Sequence, residues 1–204
     1  MKRYLSILLF LFYANASAQK ISVGVTTSVF RTSFAFAPTE KFTGKNNFGV
    51  GIVALVPLNS RFSVDARLLY TNMNVAINNS YYRYIQDSDP LIVDDESDVK
   101  ESYWEIPVGI RYSLTTESKI NWYIGAGISQ SFQARISGGR GDSTNTVIGK
   151  KLFGTYLSVG MSFKVHDKLR LGFETVSRAF FTWKEDFRER PVLLGGSVVL
   201  MREF

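Results

Sequence analysis

The chain has 204 residues, with 24 basic and 18 acidic side chains, a formal charge of +6, one histidine and no cysteine. The missing thiols exclude disulfide scaffolding, thiolate catalysis and cysteine-based metal sites. A positive balance this mild does not call for nucleic acid.

At the start, Lys2 and Arg3 precede the apolar run Leu5 to Tyr13, and Ala16-Ser17-Ala18 gives a small-residue cleavage signature before Gln19. This three-part pattern predicts a secretory signal peptide over residues 1–18. The apolar run is too short to cross about 30 Å of hydrocarbon as an anchor. Cleavage removes two bases and no acid, so residues 19–204 carry 22 basic against 18 acidic side chains, a charge of +4. No Pro- or Ser-rich linker divides them, and one domain is expected. No later stretch holds about 18 uninterrupted apolar residues, so any membrane crossing is made by strands closed into a barrel.

Period-two alternation then recurs eight times. The first strand, Lys20 to Phe30, sets Ile21, Val23, Val25, Thr27 and Val29 against Ser22, Gly24, Thr26 and Ser28. In the second, Asn47 to Val56, Phe48, Val50, Ile52, Ala54 and Val56 oppose Gly49, Gly51, Val53 and Leu55. After the turn Pro57-Leu58-Asn59-Ser60, the third sets Phe62, Val64, Ala66, Leu68 and Tyr70 against Asp65, Arg67, Leu69 and Thr71. The fourth and fifth form a hairpin from Glu101 to Ile136, with Trp104, Ile106, Val108, Ile110 and Tyr112 on the apolar face of one arm and Ile120, Trp122, Ile124, Ala126, Ile128 and Phe132 on that of the other. The sixth (Leu152 to Val165), seventh (Leu169 to Phe181) and eighth (Val192 to Phe204) repeat the pattern. The hairpin arms, about eleven to fifteen residues, exceed the usual strand of about 5 to 6 and suit a tilted crossing, which needs about 9 to 11.

The connections alternate in length. Those at 57–60, 115–118 and 166–167 are short, while those at about 31–46, 76–100, 137–150 and 184–191 are long. Outer-membrane barrels sort turns this way, short in the periplasm and long outside. Ten strand glycines (24, 49, 51, 109, 125, 127, 154, 160, 172 and 195) share the polar face, with Gly196 alone opposite. The interior of an eight-stranded barrel is just wide enough to be filled by side chains and must mix small with large, whereas a solvated face would be rich in Lys and Glu. The fold expected is therefore all-β: an eight-stranded antiparallel up-and-down transmembrane β-barrel, its apolar face outward, with Tyr70, Trp104, Tyr112 and Trp122 near the interfaces. A soluble barrel with its apolar face inside is the alternative.

Tyr103-Trp104-Glu105-Ile106-Pro107-Val108-Gly109-Ile110-Arg111-Tyr112 resembles the "EIP" strand that recurs in small outer-membrane β-barrel proteins of Bacteroidota, including the PorT-like family. Phe204, preceded by Val198 and Leu200 at alternate positions, resembles the C-terminal signal read by the outer-membrane insertion machinery; Arg202 departs from that pattern and would snorkel to the interface. The resemblance implies an outer-membrane barrel and, for PorT-like members, a place in a secretion apparatus.

By the alternation the lumen would hold Asp65, Arg67, Glu105, Arg111, Lys164, Arg170, Glu174, Arg178 and Glu203, and charges of both signs in so narrow a space must pair or meet water. A plug of ion pairs is expected, with a proton or ion path as the sharper alternative. The one histidine, His166, falls in a short turn, which argues against Ser/His/Asp chemistry and places no base near the outer rim. Arg140-Gly141-Asp142 and the sequon Asn78-Asn79-Ser80 are short matches of low specificity. The connection 76–100 joins Tyr81, Tyr82 and Tyr84 to an acidic run that includes Asp94, Asp95, Glu96 and Glu101 but lacks EF-hand spacing, so no metal or cofactor is assigned. It is the candidate binding loop. The function expected is structural or interactive and non-enzymatic: envelope integrity, surface-loop binding, or a secretion-apparatus component. A lipid-modifying enzyme and a narrow solute channel are the alternatives. The partners expected are outer-membrane lipid and lipopolysaccharide, the insertion machinery, and an envelope or secretion protein.

Overall fold

The computed structural model describes residues 21–35, 42–83, 91–115, 119–138, 151–181 and 190–204, so residues 1–18, expected to be a signal peptide, and Tyr84 lie outside the described residues. The strands are β1 (Ser22–Ala35), β2 (Phe42–Gly44), β3 (Asn46–Pro57), β4 (Phe62–Arg83), β5 (Leu91–Ser113), β6 (Ile120–Gly138), β7 (Lys151–His166), β8 (Leu169–Phe181) and β9 (Arg190–Glu203). β1 pairs with β3, β2 and β3 both pair with β4, and from β4 onward each strand pairs with the next, all antiparallel, while β1 closes on β9 from Ser22↔Glu203 to Ala35↔Arg190. β2 and β3 are one stave broken at Lys45, so the barrel has eight staves and no open edge around its wall.

The break is a bulge. Five residue steps from Gly44 to Gly49 face four steps from Val75 back to Thr71, leaving one extra residue on the β2–β3 side. Asn47 fills the gap: its side-chain amide donates to Thr32 Oγ1 at 2.7 Å and to the Lys45 carbonyl at 2.8 Å, while its carbonyl accepts the Asn74 N–H at 2.6 Å. A second bulge at Ala134 shifts β6 against β5 between Ser102 and Tyr103. Pro107 has no N–H to donate, and the β4–β5 ladder accordingly lapses between Ala66↔Val108 and Leu69↔Glu105 without a change of register.

The short connections and the β1/β9 ends share one rim. Asn59 Oδ1 accepts the N–H of Arg61 and Phe62 at 2.9 and 2.8 Å, which closes the first turn locally and explains its shortness. Phe204 N–H donates to the Ile21 carbonyl at 2.9 Å at the seam.

Outside, the face expected to meet lipid does so: Val25, Val29, Ile52, Ile128 and Leu157 are each more than half exposed. An apolar belt running round the whole wall is far larger than a soluble protein exposes, and it rules out the soluble barrel, whose apolar face would be buried. Aromatic pairs mark the belt's borders, Phe62–Tyr112 at 4.9 Å toward the short-turn rim and Tyr70–Trp104 at 5.2 Å toward the other. The eight steps of β5 between Trp104 and Tyr112 cover about 27 Å of strand. At a tilt of about 40° that is about 20 Å of height, close to the apolar band of such barrels.

Candidate functional site

The interior is built by the same alternation. Large inward side chains seat against glycines: a Cβ added at Gly160 would stand 2.6 Å from the Tyr123 ring, and one at Gly154 would stand 2.8 Å from the Phe180 ring. This is why the glycines gather on one face, as the sequence led us to expect.

At the waist, β4, β5 and β8 bring together Asp65, Arg67, Arg111 and Glu174, all nearly inaccessible. Arg67 lies between the two carboxylates. Its Nε and Nη2 donate to Asp65 at 2.9 and 2.7 Å, its Nη2 donates to Glu174 Oε2 at 3.0 Å, and its Nη1 donates to Glu174 Oε1. Arg111 donates to Asp65 Oδ2 at 2.7 Å, lies 3.6 Å from Glu174, and stacks 4.0 Å over the Tyr123 ring. Ser197 and Tyr123 hydroxyls complete the Glu174 shell at 2.7 and 3.2 Å. Two cations face two anions, so the group is neutral and its carboxylates are saturated with donors. Toward the other rim, Glu105 on β5 accepts from Arg178 on β8 at 2.9 Å, from Ser129 at 2.8 Å and from Thr71 at 3.4 Å. This pair spans the lumen from β5 to β8 and belongs to the plug of ion pairs that the sequence led us to expect. Buried pairs of this kind add little net stability when intact, but removing one partner strands the other.

Arg170 bonds Glu203 near the short-turn rim, both partly exposed. Lys164 is a correction. It was expected in the lumen and keeps its register opposite Arg170, yet it is the last residue before the β7–β8 slip and stands about half exposed at the rim, 3.8 Å from Asp167. His166 itself is exposed at the end of β7.

Beyond the ion pairs lies an apolar layer that the charges alone did not reveal. Phe30, Met73, Val75, Tyr103, Leu152, Phe180 and Leu193 pack together from six staves. Glu101 is buried in the same region, accepting from the Tyr103 hydroxyl and from Gln133 at 3.4 Å. The sequence placed it where the acidic run of the candidate binding loop meets the start of the fourth strand. Its odd-numbered place on β5, in step with Glu105 and Arg111, sends it inward.

At the opposite end a polar cavity of about 290 Å³ opens between the short turns and reaches Arg111, Asn121, Ser162 and Arg170. Among the described residues six buried side-chain atoms have no partner: Thr26 Oγ1, Arg111 Nε, Asn121 Oδ1, Ser131 Oγ, Tyr156 OH and Ser158 Oγ. All belong to inward residues, and each left dry would cost about 1–3 kcal/mol. A larger depression, about 520 Å³ around Thr27, Trp122, Phe173 and Gly196, lies on the wall's lipid side, away from the lumen chemistry.

The connection expected at 76–100 is mostly strand. β4 runs to Arg83 and β5 begins at Leu91, with pairs Asn78↔Glu96, Asn79↔Asp95, Ser80↔Asp94, Tyr81↔Val93, Tyr82↔Ile92 and Arg83↔Leu91 beyond the last contact with any other strand. Tyr81, Tyr82, Asp94, Asp95 and Glu96 therefore sit on a two-stranded ribbon and not in a loop. Alternation did not reveal it because a period of two is imposed where a sheet separates lipid from lumen, and these residues lie beyond the last pairing with a third described strand. Among the described residues no cluster of three or more His, Asp or Glu is arranged to hold a metal.

A closed eight-stave barrel with a lipid-facing belt and a packed lumen defines an outer-membrane β-barrel protein. Residues 5–189 match the family described as outer membrane protein beta-barrel domain, and the chain belongs to that family and to the outer membrane. No curated protein matches it in sequence. Among solved structures it is similar to Neisserial surface protein A (NspA), with a TM-score of 0.54 and 17% identity over 88% of this chain and 95% of that one. It is also similar to OprG from Pseudomonas aeruginosa, with a TM-score of 0.47 and 10% identity over 91% and 94%. At these identities the likeness is one of fold.

Proposed function

We propose that the protein is a non-enzymatic, non-conducting scaffold of the outer membrane that presents the β4–β5 ribbon to a protein of the cell envelope, as the PorT-like resemblance of its E-I-P strand implies for a secretion-apparatus component. The observation that carries this reading is the ribbon: six residue pairs stand clear of every other described strand. A two-stranded ribbon is marginal alone and offers unpaired backbone groups along its edges. Tyr81 and Tyr82 bring large amphipathic rings to it, and Asp94, Asp95 and Glu96 bring a negative field for a basic partner surface or for divalent cations bridging lipopolysaccharide. The lumen supports the non-enzymatic part, since Asp65, Glu105 and Glu174 are each engaged by arginine and none is left as a free base. Phe204, exposed at the β1–β9 seam, is the proposed insertion signal, and its deletion should slow assembly while leaving the mature barrel's heat-modifiable migration intact.

The test is replacement of residues 79–95 by a short Gly/Ser turn, followed by copurification from detergent-solubilised outer membranes. The barrel should remain heat-modifiable and lose its envelope partner. Unchanged association would remove the ribbon as the contact.

A further inference from the structure

The six unpartnered polar atoms and the apolar layer divide the lumen between them. Arg111 Nε and Asn121 Oδ1 belong to residues in the wall of the short-turn cavity. The hydroxyls of Thr26, Tyr156 and Ser158 continue upward from it on the inward face, and Ser131, whose Cα partner is Leu152, marks the floor of the apolar layer. A buried water needs two to four polar partners, and a succession of unpartnered donors and acceptors provides them. A cavity of about 290 Å³ holds several waters, each taking about 30 Å³. In the apolar layer Phe30, Met73, Leu152, Phe180 and Leu193 have no polar side-chain atom, and the polar groups beside them, Glu101, Tyr103 and Gln133, bond to one another.

We infer that the lumen is a hydrated half-channel, open at the short-turn rim and closed toward the other by the layer around Phe30, Leu152, Phe180 and Leu193, so that the apolar layer and not the ion pairs is the barrier to permeation. Water and protons from the short-turn side reach the Asp65–Arg67–Arg111–Glu174 group. Hydrated solutes stop above Glu105 and Arg178, where a dry constriction replaces polar walls.

Two arginines of that group supply an internal control in the unaltered protein. Both are almost fully buried, but the Arg67 Nε–H is bonded to Asp65 and the Arg111 Nε–H has no partner among the described residues. In nitrogen-15-labelled protein in lipid nanodiscs, Arg111 Nε–H should exchange with water faster than Arg67 Nε–H by more than an order of magnitude. Equal protection of the two would overturn the hydrated half-channel. In planar bilayers the unaltered barrel and the Asp65→Asn/Arg111→Gln variant should be silent, while Phe180→Ala/Leu193→Ala should give discrete conductance steps. Heat-modifiable migration checks that each variant is folded. Conductance in the ion-pair variant, or silence in a folded layer variant, would move the barrier away from the apolar layer and overturn its assignment.

Discussion

The two halves of the β4–β5 hairpin use similar residues to opposite ends. From Phe62 to Val75 and from Val99 to Ser113 the strands are part of the wall, and every charge on the inward face is buried and engaged. From Asn78 to Arg83 and from Leu91 to Asp98 the same two strands continue with tyrosines and carboxylates but without a third strand beside them. A carboxylate in the lower half is a fixed part of the core, and its loss is felt as stability. One in the upper half lies on the part of the hairpin that no third described strand joins, and under the proposed function its loss should be felt as binding.

The largest effect that would test this contrast is at Arg67. Arg67→Ala would leave Asp65 and Glu174 sharing Arg111 alone, one cation for two buried anions. Breaking such a group costs about 3–5 kcal/mol, toward the low end where lumen water reaches the freed carboxylates. Denaturant titration of barrels folded into lipid vesicles reads this directly. Arg67→Lys should recover only part of it, because a point charge cannot reproduce the guanidinium's bonds to two carboxylates at once. A loss below about 1 kcal/mol for Arg67→Ala would place these charges in the weak class of exposed pairs and erase the distinction between the halves.

How far the hairpin could be read in advance follows the same division. Where a wall has one face on lipid and one on the lumen, period two is enforced, and Trp104 to Tyr112 could be assigned outward or inward residue by residue. The E-I-P strand places Glu105 and Arg111, its two charged inward positions, into two different ion-pair groups, and Pro107 marks the lapse in the ladder opposite Arg67. Alternation says which face a charge occupies but not its partner across the lumen: Glu105–Arg178 and Arg67–Glu174 join residues 73 and 107 apart in sequence and depend on barrel closure. The apolar layer escaped notice for a related reason. Phe30, Met73, Tyr103 and Phe180 occupy inward positions beyond the ion pairs, where the polar face gives way to large side chains and nothing local marks the change. Lys164 and the ribbon were misplaced where the wall ends, at the short-turn rim and beyond the opposite one.

Asn47 stands where wall gives way to ribbon, and an intermediate effect is expected there. Its side chain holds the bulge that lets β2 rejoin β4 from Phe42↔Ile77 to Gly44↔Val75. Asn47→Ala leaves Thr32 Oγ1, the Lys45 carbonyl and the Asn74 N–H without this partner, a loss of about 1–3 kcal/mol if water does not replace it. It should also raise amide hydrogen exchange at Asn74 and Val75 while leaving Leu69 and Thr71 protected. Uniform loss of protection along β4 would mean that wall and ribbon open as one unit.

The smallest effect on stability is expected from removing the ribbon itself. Replacing residues 79–95 by a short Gly/Ser turn joins Asn78 to Glu96, which are already Cα partners, so the new connection spans no added distance. The segment takes with it none of the engaged lumen charges, none of the apolar layer and no pairing with a third strand. Shortening the connection also lowers the entropy of closing it, a gain that grows only slowly with length. The folding free energy in vesicles should therefore change by no more than about 0.5 kcal/mol, the range of surface substitutions away from packed features. A loss comparable to that of Arg67→Ala would show that the ribbon braces the wall, and the two halves of the hairpin would then have to be counted as one structural element.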